Sequence, residues 1–168
     1  SLSIEAVLDT ADALGTSIVR VWAGERGSAE ADTAYRQAVL DDALRMVEQA
    51  AKRSITISLE YHANTLTDTL HSTLDLLETV NSPYFKTFWQ PPHTPDLKTK
   101  TRSLKALLPW LTNVHVLHWH PQTKERYKLL DGASDWQHYV DIIATSEKRH
   151  VLSLEFVRNE DPDVFLED

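Results

Sequence analysis

The chain has 168 residues, of which 42% are hydrophobic and 25% charged, an ordinary globular composition. Its 17 basic and 25 acidic side chains give a net charge of −8 without a Lys/Arg block, which argues against a nucleic-acid partner. The absence of cysteine excludes disulfides, thiolate metal ligands and cysteine nucleophiles. Neither a membrane-spanning apolar run nor a signal peptide is present, so we expect a soluble, cytoplasmic single domain over residues 1–168 without a membrane partner.

Apolar periodicity predicts a helix first, then a strand and a helix four times in succession, and a last strand. The helices, each with one apolar face, are predicted over residues 3–14, 29–52, 65–80, 96–111 and 134–145. The strands, rich in β-branched and aromatic residues, are predicted over residues 17–24, 54–60, 84–90, 113–119 and 150–157. Gly15 is expected to end the first helix, and Ser134 to cap the last one.

The alternation of strands and helices predicts an α/β fold of parallel βα units. An open doubly wound sheet and part of a (β/α)8 barrel both fit. A dinucleotide-binding fold is disfavoured because no G-x-G-x-x-G follows the first strand, and no Walker A motif is present. A whole barrel needs about 250 residues, so the chain is short of one by roughly three βα units.

Metal-competent side chains stand at the carboxyl ends of four successive predicted strands. Glu60, Gln90 and Glu155 end three of them, and the fourth contains His115 and His118. Because functional groups of α/β enzymes gather at this edge, the set predicts a site for a divalent cation: Mn, Mg, Co or Zn. Taken singly, each residue has another explanation, since a glutamate can be a solvated rim residue, Gln90 can bind loop backbone, and a strand histidine can belong to the core.

The stretch "NVHVLHWHPQ" brings three histidines into six positions. Strand alternation places residues 115, 117 and 119 on one side and residues 118 and 120 on the other, so a metal site made of all three is not expected. His115 and His118 both stay candidates for the ligand, because parity alone does not choose between them. His120, next to Pro121, is expected at the rim.

Five ordered segments resemble the xylose isomerase-like TIM barrel superfamily, which includes sugar-phosphate isomerases and epimerases, with inosose dehydratase and endonuclease IV as relatives. The segments are "LGTSIVRVWAG", "ISLEYHANTLTDT", "FKTFWQPPH", "NVHVLHWHP" and "LSLEF". The resemblance implies an incomplete (β/α)8 barrel, corresponding to about strands 4 to 8. It also implies one divalent metal, for which the family uses Glu, Asp, His and Glu; the matching residues here are Glu60, Gln90, His115 (or His118 in a shifted register) and Glu155.

The resemblance further implies a metal-dependent sugar or sugar-phosphate isomerase or epimerase that works through an enediolate. Glu60 and Glu155 would then be its acid/base pair. Residues expected to contact the substrate are His62, His93, His118, Arg126 and Trp22. Instead of binding substrate, Arg126 can be a solvated loop residue. Trp22 can likewise be a core residue instead of a substrate contact, and the same alternative applies to Trp89 and Trp119, which also lie at strand ends.

Two other functions remain open on the same scaffold. One is a lyase of the inosose dehydratase kind or an endonuclease IV-like hydrolase. The other is a non-catalytic, truncated barrel, which is favoured by Gln90 in the position of an aspartate and by the missing strands. The expected partner is a small sugar or sugar phosphate, and either a homo-oligomer or a missing N-terminal segment would complete the barrel.

Overall fold

The computed structural model describes residues 3–156 and 161–165. Five parallel strands alternate with helices, as in an incomplete (β/α)8 barrel, so the predicted fold class is confirmed. The chain divides into two compact units, residues 1–88 and 89–168. The expectation of a single domain remains a prediction. No helix among the described residues is long and apolar enough to cross a membrane.

The first unit contains three helices and three strands in chain order. Its elements are α1 (Ile4–Leu14), β1 (Ile18–Val21), α2 (Thr33–Ala51), β2 (Thr56–Glu60), α3 (Leu70–Val80) and β3 (Phe85–Trp89), whose last residue falls in the second unit. β1 pairs in parallel with β2, and β2 with β3, so the strands are neighbours in chain order. The buried core is built mainly by Leu8, Ile57, Leu59, Leu77 and Phe85.

The second unit continues the same alternation. Its elements are α4 (Leu97–Leu107), β4 (Leu111–Val116), α5 (Ala133–Ile143), β5 (Val151–Leu154) and α6 (Pro162–Phe165), with short 3-10 turns at Leu108–Trp110 and Leu129–Gly132. β4 pairs in parallel with β5, and His115 stands opposite Ser153. The core contains Trp89, Leu104, Leu107, Val114 and Tyr139. Trp89 is therefore a core residue, and it is held by a bond from Nε1 to Ser103 Oγ of 2.9 Å.

Local capping explains where several predicted boundaries are wrong. Helix α2 begins at residue 33 instead of 29 because the Asp32 side chain caps it by accepting from Tyr35 N. Helix α3 begins at residue 70 instead of 65 because Thr69 is its cap. Gly15 ends α1 in the left-handed conformation, as predicted. Ser134 is not the cap of α5, since that helix already begins at Ala133, after Gly132.

The strands are shorter than their apolar runs. β4 covers 111–116 instead of 113–119, because the chain leaves the sheet after Val116 and folds back on itself at Trp119 and Arg126. β5 covers 151–154 instead of 150–157, and residue 157 lies outside the described residues. The prediction that His118 belongs to the fourth strand is therefore wrong.

Candidate functional site

Glu60 is the last residue of β2, and its side chain is only 3% exposed. Its Oε2 atom accepts a hydrogen bond from Arg20 Nη1 at 2.8 Å and another from Trp22 Nε1 at 2.6 Å. Both donors come from the neighbouring strand and its end: Arg20 lies in β1 opposite Ser58, and Trp22 directly follows that strand. A buried carboxylate needs such partners because burial without them is costly.

Trp22 is not a core residue, since 54% of it is exposed. Its indole stacks on the His62 imidazole, with the ring centroids 4.8 Å apart and the planes inclined by 22°. His62 Nδ1 lies 2.6 Å from the carbonyl oxygen of Ala63, a contact that also restricts the orientation of the ring. The structure thus places two predicted substrate contacts, Trp22 and His62, in the same unit as Glu60.

The loops that follow β1 and β2 are bonded to each other beside Glu60. Leu66 N donates to Ala23 O at 2.9 Å, and Ser28 N donates to Asp68 Oδ2 at 2.9 Å. The Thr67 hydroxyl donates to the backbone carbonyl of Glu60. These bonds hold the end of β2 in place and thereby fix the position of the Glu60 backbone, from which its side chain extends.

In the second unit, His115 and Glu155 form a close pair. His115 Nδ1 lies 3.1 Å from Glu155 Oε2, and the side chains are 8% and 24% exposed. The pair follows from the strand register, since Glu155 N extends the β4–β5 ladder by donating to Val116 O at 2.9 Å. His118 lies beyond the end of β4 instead, against Gly132 and the ring of Tyr127. Of the two candidate histidines, His115 is the one beside Glu155.

A small antiparallel hairpin follows β4 and organises the other predicted substrate contacts. Its backbone bonds join His118 O to Tyr127 N and His120 N to Glu125 O. Trp119 and Arg126 face each other across it. The half-buried His120 bonds to the turn of this hairpin, where its Nδ1 accepts from Thr123 N at 3.1 Å.

Arg126 is not a solvated loop residue. Its guanidinium carbon lies 4.7 Å from the ring centroid of Phe156 and 5.6 Å from that of Trp119. His93 stacks on Trp119, with centroids 5.0 Å apart. Trp119 therefore brings together Arg126, His93 and Phe156, the residue that follows Glu155.

Gln90 directly follows the last residue of β3 and is half-buried. This agrees with its predicted position at a strand end. Two residues that contact the predicted site residues were not singled out from the sequence: Arg20, which bonds to Glu60, and Phe156, which packs against Arg126 and Trp119. The signal for Arg20 was an unusual one, a charged residue inside the apolar run "SIVRVWAG".

Side chains able to bind a metal ion are present in each unit: Glu60 in the first, and the pair of His115 and Glu155 in the second. Two carboxylates and an imidazole are the donors that Mn, Zn and related divalent cations accept. Glu60 and His115 are buried, and Glu155 is half-buried, as residues at a metal site often are. Within the second unit, the imidazole of His115 and the carboxylate of Glu155 therefore fit the ligand chemistry of a divalent cation.

A family model described as "Xylose isomerase-like TIM barrel" matches residues 2–168. The chain is also similar to a 3-dehydroshikimate dehydratase of Bacillus anthracis, with 34% identity over 106 residues, which are 60% of this chain and 36% of that protein. It thus covers well under two thirds of that relative's length.

Solved structures show the same fold. The crystal structure of a "probable 3-DHS dehydratase" involved in petrobactin synthesis from Bacillus anthracis has a TM-score of 0.82 at 24% identity, covering 96% of this chain and 65% of that one. A xylose isomerase-like TIM barrel protein from Mycobacterium smegmatis, in complex with magnesium, has a TM-score of 0.68 at 14% identity and coverages of 98% and 62%. A D-allulose 3-epimerase from Methylomonas sp. has a TM-score of 0.65 at 20% identity and coverages of 98% and 58%.

Proposed function

Since the chain belongs to the xylose isomerase-like TIM barrel family, we propose that it carries the metal-dependent site of an enzyme that removes a proton next to a carbonyl group. The observation that carries the proposal is the pair of His115 and Glu155, with Nδ1 and Oε2 3.1 Å apart at the ends of adjacent parallel strands. An imidazole and a carboxylate at such strand ends are the parts from which barrel enzymes build metal and proton-transfer sites.

Glu60, His115 and Glu155 are the proposed ligands, with the amide oxygen of Gln90 as a fourth. A bound divalent cation would polarise the substrate carbonyl and acidify the neighbouring C–H. Gln90 is neutral, so this ligand set carries one negative charge fewer than the family pattern with aspartate. Mn and Mg suit its oxygen-rich composition.

Glu155 is the proposed base in the reaction. Its carboxylate takes the proton from the carbon next to the carbonyl, and His115, 3.1 Å away, orients it. In a dehydration, the hydroxyl on the following carbon then leaves as water with the proton that Glu155 removed, and a carbon–carbon double bond forms between the two carbons. In an epimerisation, a proton returns to the same carbon from the opposite face, and Glu60 is the proposed donor.

The dehydration is the favoured of these two outcomes because of Arg126. Its guanidinium lies over Phe156 and Trp119, which limits its rotation, and a planar guanidinium fork is the group that binds a carboxylate through two parallel hydrogen bonds. 3-Dehydroshikimate, the substrate named for the relative from Bacillus anthracis, carries a carboxylate, a ketone and hydroxyl groups. His93, stacked on Trp119, is a proposed contact to the same substrate.

An epimerase is the second candidate, and Trp22 favours it. The indole is half exposed beside Glu60, and stacking on His62 fixes the plane of its ring. The apolar face of a sugar can stack on such an aromatic ring. His118 is a further proposed substrate contact for either reaction.

In the deciding experiment for the dehydratase, the purified chain is incubated with Mn²⁺ and 3-dehydroshikimate. Loss of water is followed by mass spectrometry, and formation of the product is followed by ultraviolet absorbance. A ketose panel in D₂O, with solvent deuterium uptake as its readout, tests the epimerase in parallel.

We expect Glu155→Gln to lower turnover at least about 100-fold. A surface variant such as Glu147→Gln, on an exposed residue after α5, is the control. Turnover that persists without metal, or the lack of any reaction in both assays, would overturn the proposal.

A further inference from the structure

We propose that Arg20 and Trp22 are positioning residues that hold the Glu60 carboxylate in the orientation required of a metal ligand. The inference rests on the proposed function, in which Glu60 binds the cation. It starts from two hydrogen bonds that converge on one atom: Arg20 Nη1 and Trp22 Nε1 both donate to Glu60 Oε2, at 2.8 and 2.6 Å.

The two donors restrict the rotation of the Glu60 side chain. A glutamate has three rotatable side-chain bonds, and ordering them on metal binding costs free energy. Here the backbone at Glu60 is fixed by the Thr67 hydroxyl, and its carboxylate is fixed by donors from the adjoining chain segment. These bonds reduce the ordering that metal binding would require of Glu60, which is the usual benefit of residues that support metal ligands.

The position of Trp22 is explained by this bond better than by packing. A core tryptophan is buried, whereas Trp22 is 54% exposed. Stacking on His62 sets the plane of the indole, and the hydrogen bond sets the direction of its N–H. Arg20, with a side chain 44% exposed, likewise reaches inward to an acceptor that is only 3% exposed. This is not an ordinary surface ion pair, because the acceptor is buried.

The variant Trp22→Phe tests the inference, since it removes the N–H donor and keeps an aromatic ring to stack on His62. Isothermal titration of Mn²⁺ into the chain without substrate should show the affinity lowered about 10-fold. Trp110→Phe, at a half-buried tryptophan before β4, is the matched control and should keep the wild-type affinity. Because no substrate is present, a role of Trp22 in substrate stacking does not affect this readout.

Arg20→Lys is the second variant, which retains the charge and loses the planar fork. It should also weaken Mn²⁺ binding, and the electron paramagnetic resonance lines of bound Mn²⁺ should change in both variants. If the wild type binds no Mn²⁺, the proposed function fails. If the wild type binds Mn²⁺ and both variants bind it with the wild-type affinity, the positioning role is overturned. This holds even if the variants unfold at a lower urea concentration, because that result would show a role in stability alone.

Discussion

His115 Nδ1 and Glu155 Oε2 lie 3.1 Å apart, one residue within β4 and the other immediately after β5. If both bind the same cation, metal and folding are linked, because the ion binds the native site and not the unfolded chain. We expect Mn²⁺ at about 100 times its Kd to stabilise the wild type by about 2.7 kcal/mol. His115→Gln and Glu155→Gln should lose most of this gain in thermal melts.

His150→Gln is the control for that experiment. His150 precedes β5, and its ring nitrogens contact Thr112 O and Ser146 Oγ away from the pair. This variant should change the melting temperature without metal but keep the metal-induced increase. An equal increase in Glu155→Gln and the wild type would place the bound ion elsewhere.

Gln90→Asp should strengthen metal binding if Gln90 is the fourth ligand. A unit charge and a divalent ion about 4 Å apart attract by about 2 kcal/mol even in bulk water, which is more than tenfold in Kd. Gln90→Asn keeps the neutral amide and is the control for the shorter side chain. Calorimetric titration with Mn²⁺ measures both. An affinity of Gln90→Asp no higher than that of Gln90→Asn would show that this position does not bind the ion.

The sequence predicted the order of elements well because apolar periodicity records which face of each segment is buried. It also placed Glu60 and Gln90 correctly at the carboxyl ends of their strands. It could not predict the bond between Arg20 and Glu60, which depends on the register of β1 against β2. β1 and β2 are parallel and joined through helix α2, so no hairpin turn fixes their register, and it depends on how the two strands pack in the folded sheet.

The choice between His115 and His118 was beyond sequence reasoning for a related reason. The run "NVHVLHW" has strand propensity throughout, yet the sheet ends at Val116. Beyond it, Trp119 pairs with Arg126 instead of with a neighbouring strand, around a turn in which Lys124 has a φ of 59°. Tertiary packing of the indole against His93 and Phe156 thus overrides the local propensity.

Tyr139→Phe should leave the free energy of unfolding unchanged or raise it by about 1 kcal/mol. The Tyr139 hydroxyl is buried and has no hydrogen-bond partner within residues 3–156 and 161–165. Burial, and secondarily the charge of Asp135, raises the pKa of this hydroxyl well above its ordinary value. Tyr35→Phe is the comparison, because it removes a tyrosine hydroxyl that does have a partner: it accepts a hydrogen bond from Glu25 N at 2.6 Å. This variant should lower the free energy of unfolding by about 1 kcal/mol. Urea denaturation compares them; a larger loss in Tyr139→Phe would reveal a partner for its hydroxyl.

Asp96 makes the start of α4 sensitive to acid. Hydrogen bonds from the Thr99 hydroxyl and from the backbone N–H groups of Lys98 and Thr99 lower the pKa of its carboxyl. Because the folded pKa is depressed, the stabilisation is present above the ordinary aspartate pKa of about 3.9 and is lost as the pH falls through the folded value. The stability difference between the wild type and Asp96→Asn should therefore shrink on acidification from about pH 6 to 3. A constant difference would contradict the assignment.

Gly24→Ala should destabilise the chain more than Gly15→Ala, although both glycines have left-handed backbone, with φ of 75° and 66°. The left-handed conformation costs an alanine about 1–2 kcal/mol at either position. At Gly15 an added Cβ meets nothing within 4 Å, whereas at Gly24 it would overlap the Tyr35 hydroxyl. Displacing that ring also breaks its bond with Glu25 N, so we expect a further loss of about 1–3 kcal/mol. Urea midpoints of the two variants measure the difference. Equal losses would mean that the Tyr35 ring gives way without cost, and the double variant Gly24→Ala with Tyr35→Phe should recover part of the loss if the overlap is its cause.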